Sequence, residues 1–437
     1  MSNLAWDYGM PRAPFAADFY QLAEFADPDR VRRHLSAGLA VCCDSYTIDN
    51  VWYIPSRSLH VVYRLPDHQI VAVQFLQPGQ SSAAFASARA ASSRPELVYH
   101  LPAWDAVAWS FCADPRLPGI PALTARSAAL AGASGWLDPR VLSYLPGERC
   151  AIRCQARAGA PGVVGKLRRG PGARASHHLA SQLWNAPRRH FRMPEPIAAD
   201  EALGARWERF VPGRRLEAAL DDGTAGTLLP TVVAALVNLH SIQLAGLPTQ
   251  HPAQILGRIE KVLRRVRAAL PELSAPADAL ARDLAAAAVD LPASQPATLH
   301  GDLHTANVVV GDQGPVFIDL DSLAAGDPAF DLALLGGRSL LSALSRGDRV
   351  DAALALMIDL PNMYASAGGT PIEQRSYAWY MAALLLGCQI KTCIRHAAPV
   401  TGRIAPVLLD LARAMLECGS AAGAPDVFLP ARQVCLV

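Results

Sequence analysis

One stretch, Leu299 to Ala333, constrains the chain more than any other: LHGDLHTANVVVGDQGPVFIDLDSLAAGDPAFDLA. It reads as loop, strand, turn, strand, loop and helix start. Val308-Val309-Val310 has the composition of a buried strand, and Val316-Phe317-Ile318 returns as a second. Between them, Gly311-Asp312-Gln313-Gly314 is rich in residues that tolerate positive φ. A hairpin of this kind carries Asn307 at its entrance close to Asp319 at its exit, although twelve positions separate them. Asp302 lies one loop away. The stretch therefore gathers three oxygen-bearing side chains at the mouth of one short, rigid element.

Such a set suits phosphoryl transfer. That chemistry needs a carboxylate to orient a hydroxyl nucleophile, and a carboxylate with an amide oxygen to hold Mg²⁺ against nucleotide phosphates. The pieces HGDLHTAN, FID and GDPAFDLA, in this order and spacing, resemble the catalytic segment of the aminoglycoside phosphotransferase and choline kinase superfamily, whose fold is protein-kinase-like. The resemblance implies Asp302 as catalytic base, Asn307 and Asp319 as metal ligands, and Asp331 as the brace of the catalytic loop. It gives His300 a packing and orienting role without proton chemistry. Asp321, two residues after Asp319 and on the same face of a strand, either joins the metal site or stays a solvated second carboxylate.

Composition supports a large folded chain. The 437 residues suit two or three packed subdomains, with 51% hydrophobic and 18% charged residues. A net charge of +2 gives no reason to invoke nucleic acid or a membrane surface. No apolar run reaches transmembrane length, and MSNLAWDYGMPRAPF lacks a basic-then-apolar signal pattern. The nine cysteines are scattered, with Cys42-Cys43 adjacent and no CxxC, which argues against a disulfide framework or a zinc site. A reducing cytoplasm is the expected compartment. Of 40 basic residues only Lys166, Lys261 and Lys391 are lysines. Where any cation serves, this chain uses arginine, so a lysine in a telling place carries more weight.

Along the chain, a helix is expected near Asp27 or Asp29 through Leu39, and a hairpin from LHVVYRL and IVAVQFL around Pro66–Gln69. SAAFASARAASSRPEL is a weak helix or a loop, and residues 98–125 mix short strands with Pro-bounded turns. Tyr53-Ile54-Pro55 before SRSLHVVYRL echoes Tyr144-Leu145-Pro146 before GERCAIRCQA, either as a duplicated β element or as a coincidence of two ordinary hairpins. From about 139 the pattern suits the β-rich small lobe of a kinase-like fold: VLSYLP, CAIRCQA and GVVGKLRR as strands, helical ASHHLASQLWNA, then RMPEPIAAD and ARWERFV. By the resemblance, Lys166 contacts nucleotide phosphates, and the backbone of Glu208, Phe210 and Val211 before the Pro212-Gly213 break meets the adenine. Two features depart from the kinase pattern. There is no GxGxxG loop, and the helix after Lys166 offers His177, His178, Ser181 and Gln182 but no Glu to pair with the lysine. The two histidines read as helix surface.

From about 214 the chain is helical, with His240 expected in the core and LGRIEKVLRRVRAAL presenting a solvated basic face. By the resemblance, the helices of 338–418 wall the acceptor pocket. Between Arg338 and Glu417 there are eight Arg or Lys and six Asp or Glu, which argues against a polycationic antibiotic and leaves a sugar or other hydroxyl metabolite open. Asp348, Asp351 and Glu373 reverse that judgement if they point inward.

The expected architecture is α+β: a two-lobed protein-kinase-like fold, with a cap over 1–138, a small lobe over 139–213 and a helical lobe over 214–437. The expected activity is phosphorylation of a hydroxyl of a small molecule (a sugar, amino alcohol or aminoglycoside-like acceptor) with ATP and Mg²⁺, with no nucleic acid or membrane partner and no indication of oligomeric state. A pseudokinase that binds nucleotide or serves as a scaffold is the alternative, motivated by the missing helix Glu and glycine loop. A protein acceptor is less favoured, because the long activation segment of protein kinases is missing.

Overall fold

The computed structural model describes Phe19, Gln21 and residues 27–39, 45–132, 139–155, 162–187, 190–222, 224–311, 313–397 and 400–420. Cys42-Cys43, Asp312 of the hairpin turn and the expected tail after 420 lie outside the described residues.

The chain begins with helix Pro28–Leu39, whose Val31, Leu35 and Leu39 are buried at the i, i+4 spacing of one helical face. An antiparallel sheet follows, formed by Thr47–Ile54, Ser58–Arg64, Ile70–Phe75, Ala106–Ser110 and Val98–Leu101 in that spatial order. Helix Ser81–Ala91 connects its third strand to Val98–Leu101. The Ala-rich segment is thus a helix. Residues 98–125 hold more helix than expected, because Ile120–Leu130 is helical with Pro121 in its first turn, where a missing N–H costs no hydrogen bond.

A second antiparallel sheet repeats this plan. Its order is Arg140–Leu145, Arg149–Cys154, Val163–Arg168, Ala205–Arg209 and Pro196–Asp200, with helix Ala173–Asn185 at the corresponding crossover. The two sheets match in detail. The first hairpin turn of each has a left-handed residue at the same place, Ser56 and Gly147, and the last turn ends on another, Asp105 and Gly204. Gln74 pairs with His60 and Val107, as Lys166 pairs with Ala151 and Arg206. His60 and Ala151 are each the third residue of their strand, and Val107 and Arg206 each the second. The echo between Tyr53-Ile54-Pro55 and Tyr144-Leu145-Pro146 therefore marks one whole βββαββ unit repeated, each copy preceded by a helix.

The copies stack back to front. Val62, Ile70, Ala72, Val107 and Trp109 of the first sheet share a core with Cys150, Ile152, Leu167, Ala205 and Trp207 of the second. Alternation along the strands sends the other face of the first sheet, including Tyr53, Leu59, Val61 and Phe75, into the cluster that also holds helix Pro28–Leu39. Polar groups pin the joint. Asp114, fully buried, accepts hydrogen bonds from Tyr144 Oη at 2.6 Å and from the backbone N–H groups of Gly147, Arg116 and Leu117. Trp109 Nε1 donates to Tyr144 Oη at 2.8 Å. A buried carboxylate survives on such terms because every lone pair finds a donor.

The remaining lobe is helical. Leu216–Asp222, Ala225–Ser241, Pro252–Ala269 and Ser274–Ala287 precede two small sheets. One joins Arg214–Arg215, Val308–Gly311 and Gly314–Phe317; the other joins Thr249–Gln250, Ala324–Gly326 and Ala297–Leu299. Ala329–Arg346, Val350–Ser366, Gln374–Leu384, a π-helical turn Leu385–Ile390, Lys391–Arg395 and Thr401–Ser420 complete it. Among the described residues no helix is long and apolar enough to cross a membrane.

Candidate active site

The expected hairpin forms, with Val308 paired to Phe317 and Val309 to Val316. The Ile318 N–H donates to Asn307 O at 2.9 Å, so the ladder runs to the two residues flanking the strands and sets Asn307 beside Asp319. Asp319 is left-handed, φ 61°, a conformation that Asp adopts more readily than most residues and that ends the strand at the site. The Asn307 amide Nδ2 donates to Asp302 O at 3.0 Å. Its Oδ1 is then left for another partner.

Asp331 organises the loop before the hairpin. It is fully buried. Its two oxygens accept the backbone N–H groups of His300 at 2.6 Å and Gly301 at 3.0 Å. His240 Nε2 lies 3.2 Å from the same carboxylate, and Tyr364 Oη lies 2.9 Å from His240 Nδ1. Because a carboxylate only accepts, His240 carries its hydrogen on Nε2 and takes the tyrosine hydroxyl on Nδ1. This histidine is buried but does more than fill the core, since it holds Asp331 from behind. His300 Nε2 lies 3.0 Å from Ile318 O, which fixes the same tautomer, and its Nδ1 faces the Asp302 N–H at 3.4 Å. Gly301, at φ 78°, leaves no room for a side chain: a Cβ there would sit 1.9 Å from Ser322 O.

From the small lobe, Lys166 reaches across to this loop. Its Nζ lies 3.0 Å from Glu208 Oε1, 3.0 Å from Asp319 Oδ1 and 3.7 Å from Asp321 Oδ1. Arg206 is paired across the ladder with Lys166. Glu208, two residues along the strand, shares their face. Arg206 bonds Glu208 Oε2 at 3.4 Å and Asp321. The lysine therefore has a carboxylate partner, taken from the neighbouring strand where the sequence had offered none from the helix. Asp321 is ion-paired to Arg206. The Lys166 ammonium holds the Asp319 carboxyl well below the usual range, against the opposing effect of burial, with Arg206 and Arg149 adding to it. In the segment expected to meet adenine, the Phe210 N–H is already bonded to Gly162 O at 2.8 Å, and the Arg153 guanidinium lies 3.5 Å from the centre of the Phe210 ring. Phe210 N–H is thus committed within the small lobe, and the Glu208 side chain to Lys166 and Arg206.

Lys166, Glu208, Phe210, Val211, Asp302, Asn307 and Asp319 all line one cavity of about 800 Å³ between the lobes. Its far wall comes from the helical lobe, with Arg338, the π-helical turn at Cys388 and Gln389, Lys391 and Arg395. Arg258, from the helix expected to carry a solvated basic face, also lines it. Trp52, on the first strand of the cap sheet, closes one side. Asp348, Asp351 and Glu373 are exposed and do not line the cavity.

A two-lobed frame with a lysine from a β-sheet facing an HGD…N…D hairpin is a kinase-like arrangement. Residues 163–363 match the model of the phosphotransferase enzyme family. Among solved structures, the chain is similar to macrolide 2'-phosphotransferase from Brachybacterium faecium, with 20% identity, coverage of 64% of this chain and 97% of that one, and a TM-score of 0.41. It is also similar to a choline/ethanolamine kinase family protein from Mesorhizobium loti, with 18% identity, coverage of 73% and 100%, and a TM-score of 0.46. A third is aminoglycoside phosphotransferase APH(3'')-Id from Streptomyces rimosus, with 19% identity, coverage of 63% and 95%, and a TM-score of 0.41. No curated protein matches the chain.

Proposed function

We propose that the chain transfers the γ-phosphoryl group of ATP to a hydroxyl of a small molecule. The observation that carries this reading is the bridge of Lys166 between Glu208 and Asp319 in the cavity that also holds Asp302 and Asn307. Asp302 takes the acceptor hydroxyl proton as the new O–P bond forms, the bond between the β–γ bridging oxygen and the γ-phosphorus breaks, and ADP leaves. Lys166 supplies a compact cation beside the phosphates, and Glu208 and Arg206 hold it in place. Asp331 and His300 fix the loop so that Asp302 needs little reorganisation during the reaction.

The hard-oxygen pair of Asp319 and Asn307 fits Mg²⁺. Asp319 is held ionised, and Asn307 has its amide oxygen left over after Nδ2 bonds Asp302 O. A bound Mg²⁺ would neutralise phosphate charge at these two residues, and one carboxylate with one amide is the complement that a kinase-type site uses.

Thermal unfolding with Mg²⁺ and ATP, Mg²⁺ and GTP, and each component alone tests the reading, because a ligand of the folded state raises the midpoint. A Mg²⁺-dependent rise with ATP, followed by ADP release in the presence of hydroxyl acceptors, is the expected outcome. No rise with either nucleotide would overturn it.

A further inference from the structure

The walls of the cavity carry twelve Arg or Lys side chains and only four carboxylates, Glu208, Asp302, Asp319 and Asp321. All four belong to the Lys166–Arg206 cluster or to the catalytic loop. Past Asp302, the wall built by the helical lobe holds Arg338, Lys391, Arg395 and Arg258 and no carboxylate. Among the described residues none of these four has an ion-pair partner, and the hydrogen-bond and stacking partners of Arg338, Arg258 and Arg395 are neutral. Arg338 Nη1 donates to Thr392 Oγ1 at 3.1 Å, Arg258 Nη2 donates to Gln250 Oε1 at 3.1 Å, and Arg395 stacks over Trp52 at 4.2 Å.

The like charges act on one another. Burial first, then Arg265, Arg338 and Arg149, depress Arg395 to about 10, and burial first, then Arg395, Arg265 and Arg258, depress Lys391. Two guanidinium donors, Arg395 Nε and Arg265 Nη1, are buried with no hydrogen-bond partner among the described residues. Buried donors left open and cations left uncompensated are both unfavourable in a folded protein, and an oxyanion relieves both. Guanidinium forks suit tetrahedral oxyanions in particular, and several converging cations fit a dianion better than a single carboxylate charge.

We propose that the acceptor is a hydroxyl compound that already carries a phosphate group, bound through that group to Arg338, Lys391 and Arg395 while its hydroxyl meets Asp302. The proposal rests on the phosphotransferase reading and names the acceptor class for the same site. In the reaction the acceptor oxygen forms a bond to the γ-phosphorus, its proton passes to Asp302, ADP departs, and the acceptor's own phosphate is unchanged. A polycationic acceptor would meet repulsion along the same wall.

The test is thermal unfolding of the full chain at constant ionic strength, with Mg²⁺ and a non-hydrolysable ATP analogue saturating the nucleotide side. Inorganic phosphate, acetate and glucosamine serve as probes. Phosphate is expected to raise the midpoint further, and acetate and glucosamine to leave it in place. R338Q and K391Q should each weaken the phosphate response on the order of tenfold or more, while keeping the nucleotide response as evidence of an intact fold. No phosphate response, an equal response in both variants, or a larger response to acetate or glucosamine would overturn the proposal. Loss of the nucleotide response in the unsubstituted protein would instead count against the phosphotransferase reading. Phosphate titration of the nucleotide-free protein beside R338Q then still decides whether this wall binds the anion.

Discussion

The Lys166 cluster shows how a single residue's role depends on neighbours that sequence order hides. Glu208 stands two positions after Arg206 on a strand, and only pairing of that strand with Val163–Arg168 brings both beside the lysine. Glu208→Gln removes the carboxylate but keeps the shape. Lys166 then leans on Asp319 and, at longer range, Asp321, and the nucleotide KM is expected to rise about tenfold with a smaller change in kcat, measured by ADP release; unchanged KM would place the phosphate contact elsewhere. Asp302→Ala is expected to lower turnover by roughly 10²–10⁴-fold while the Mg²⁺-nucleotide rise in the unfolding midpoint persists. Full turnover in that variant would remove the base assignment. Asp319→Ala should abolish the Mg²⁺-dependent part of the nucleotide response, and an undiminished response would move the metal to other oxygens.

At the scale of elements, the hairpin of Val308–Gly311 and Gly314–Phe317 was legible because its signals are local: short apolar runs around a Gly-rich turn. Helix Ile120–Leu130 was not, because a proline near its start reads as a break unless it falls in the first turn. Nor was the π-helical turn Leu385–Ile390, since a widened turn leaves no periodic mark in six residues. It brings Cys388 and Gln389 to the cavity wall. The joint between the two sheets rests on Asp114, whose burial raises its carboxyl against the pull of its donors. Asp114→Ala would strand the Tyr144 hydroxyl and the Gly147 N–H. A loss of about 2–4 kcal/mol is expected in urea unfolding, and a loss below about 0.5 kcal/mol would show that water replaces the carboxylate.

Across the whole molecule, the cap is a second copy of the small-lobe plan with the site removed. By register, Gln74 stands where Lys166 is, Val107 where Arg206 is, and Trp109 where Glu208 is. The face that would have held a phosphate site is instead packed on the back of the working copy. The cap also reaches the helical lobe: His396 Nδ1 meets Val51 O at 3.0 Å, and Trp52 closes the cavity over Arg395. Two histidines make the assembly sensitive to acid. Burial lowers His60, within the cap sheet, to about 4, and burial with Arg395 and Arg338 lowers His396 to about 4. Both stay neutral in the fold, whereas the unfolded chain takes up protons below about 6.5. The stability they permit is therefore complete above that pH and declines as the pH falls towards 4, by about 2 kcal/mol for each at pH 5. Unfolding midpoints at pH 5 and pH 7.5 should differ in that sense, and His396→Gln should narrow the gap; equal midpoints would show that these side chains gain protons without opening the fold.

What the sequence determined by itself was the part encoded in contiguous residues: the hairpin with Asn307 and Asp319, the loop with Asp302, the strand of Lys166 and the helical character after 214. These follow from turn chemistry and apolar periodicity, which act over a few residues. Tertiary structure alone decided which carboxylate meets Lys166, that Asp321 is claimed by Arg206, that the cap repeats the small lobe, and that cations from distant helices converge on one wall. Each depends on side chains far apart in the chain meeting across a sheet register or a lobe interface. No local pattern records those meetings, because the energy that fixes them comes from the packing of whole elements.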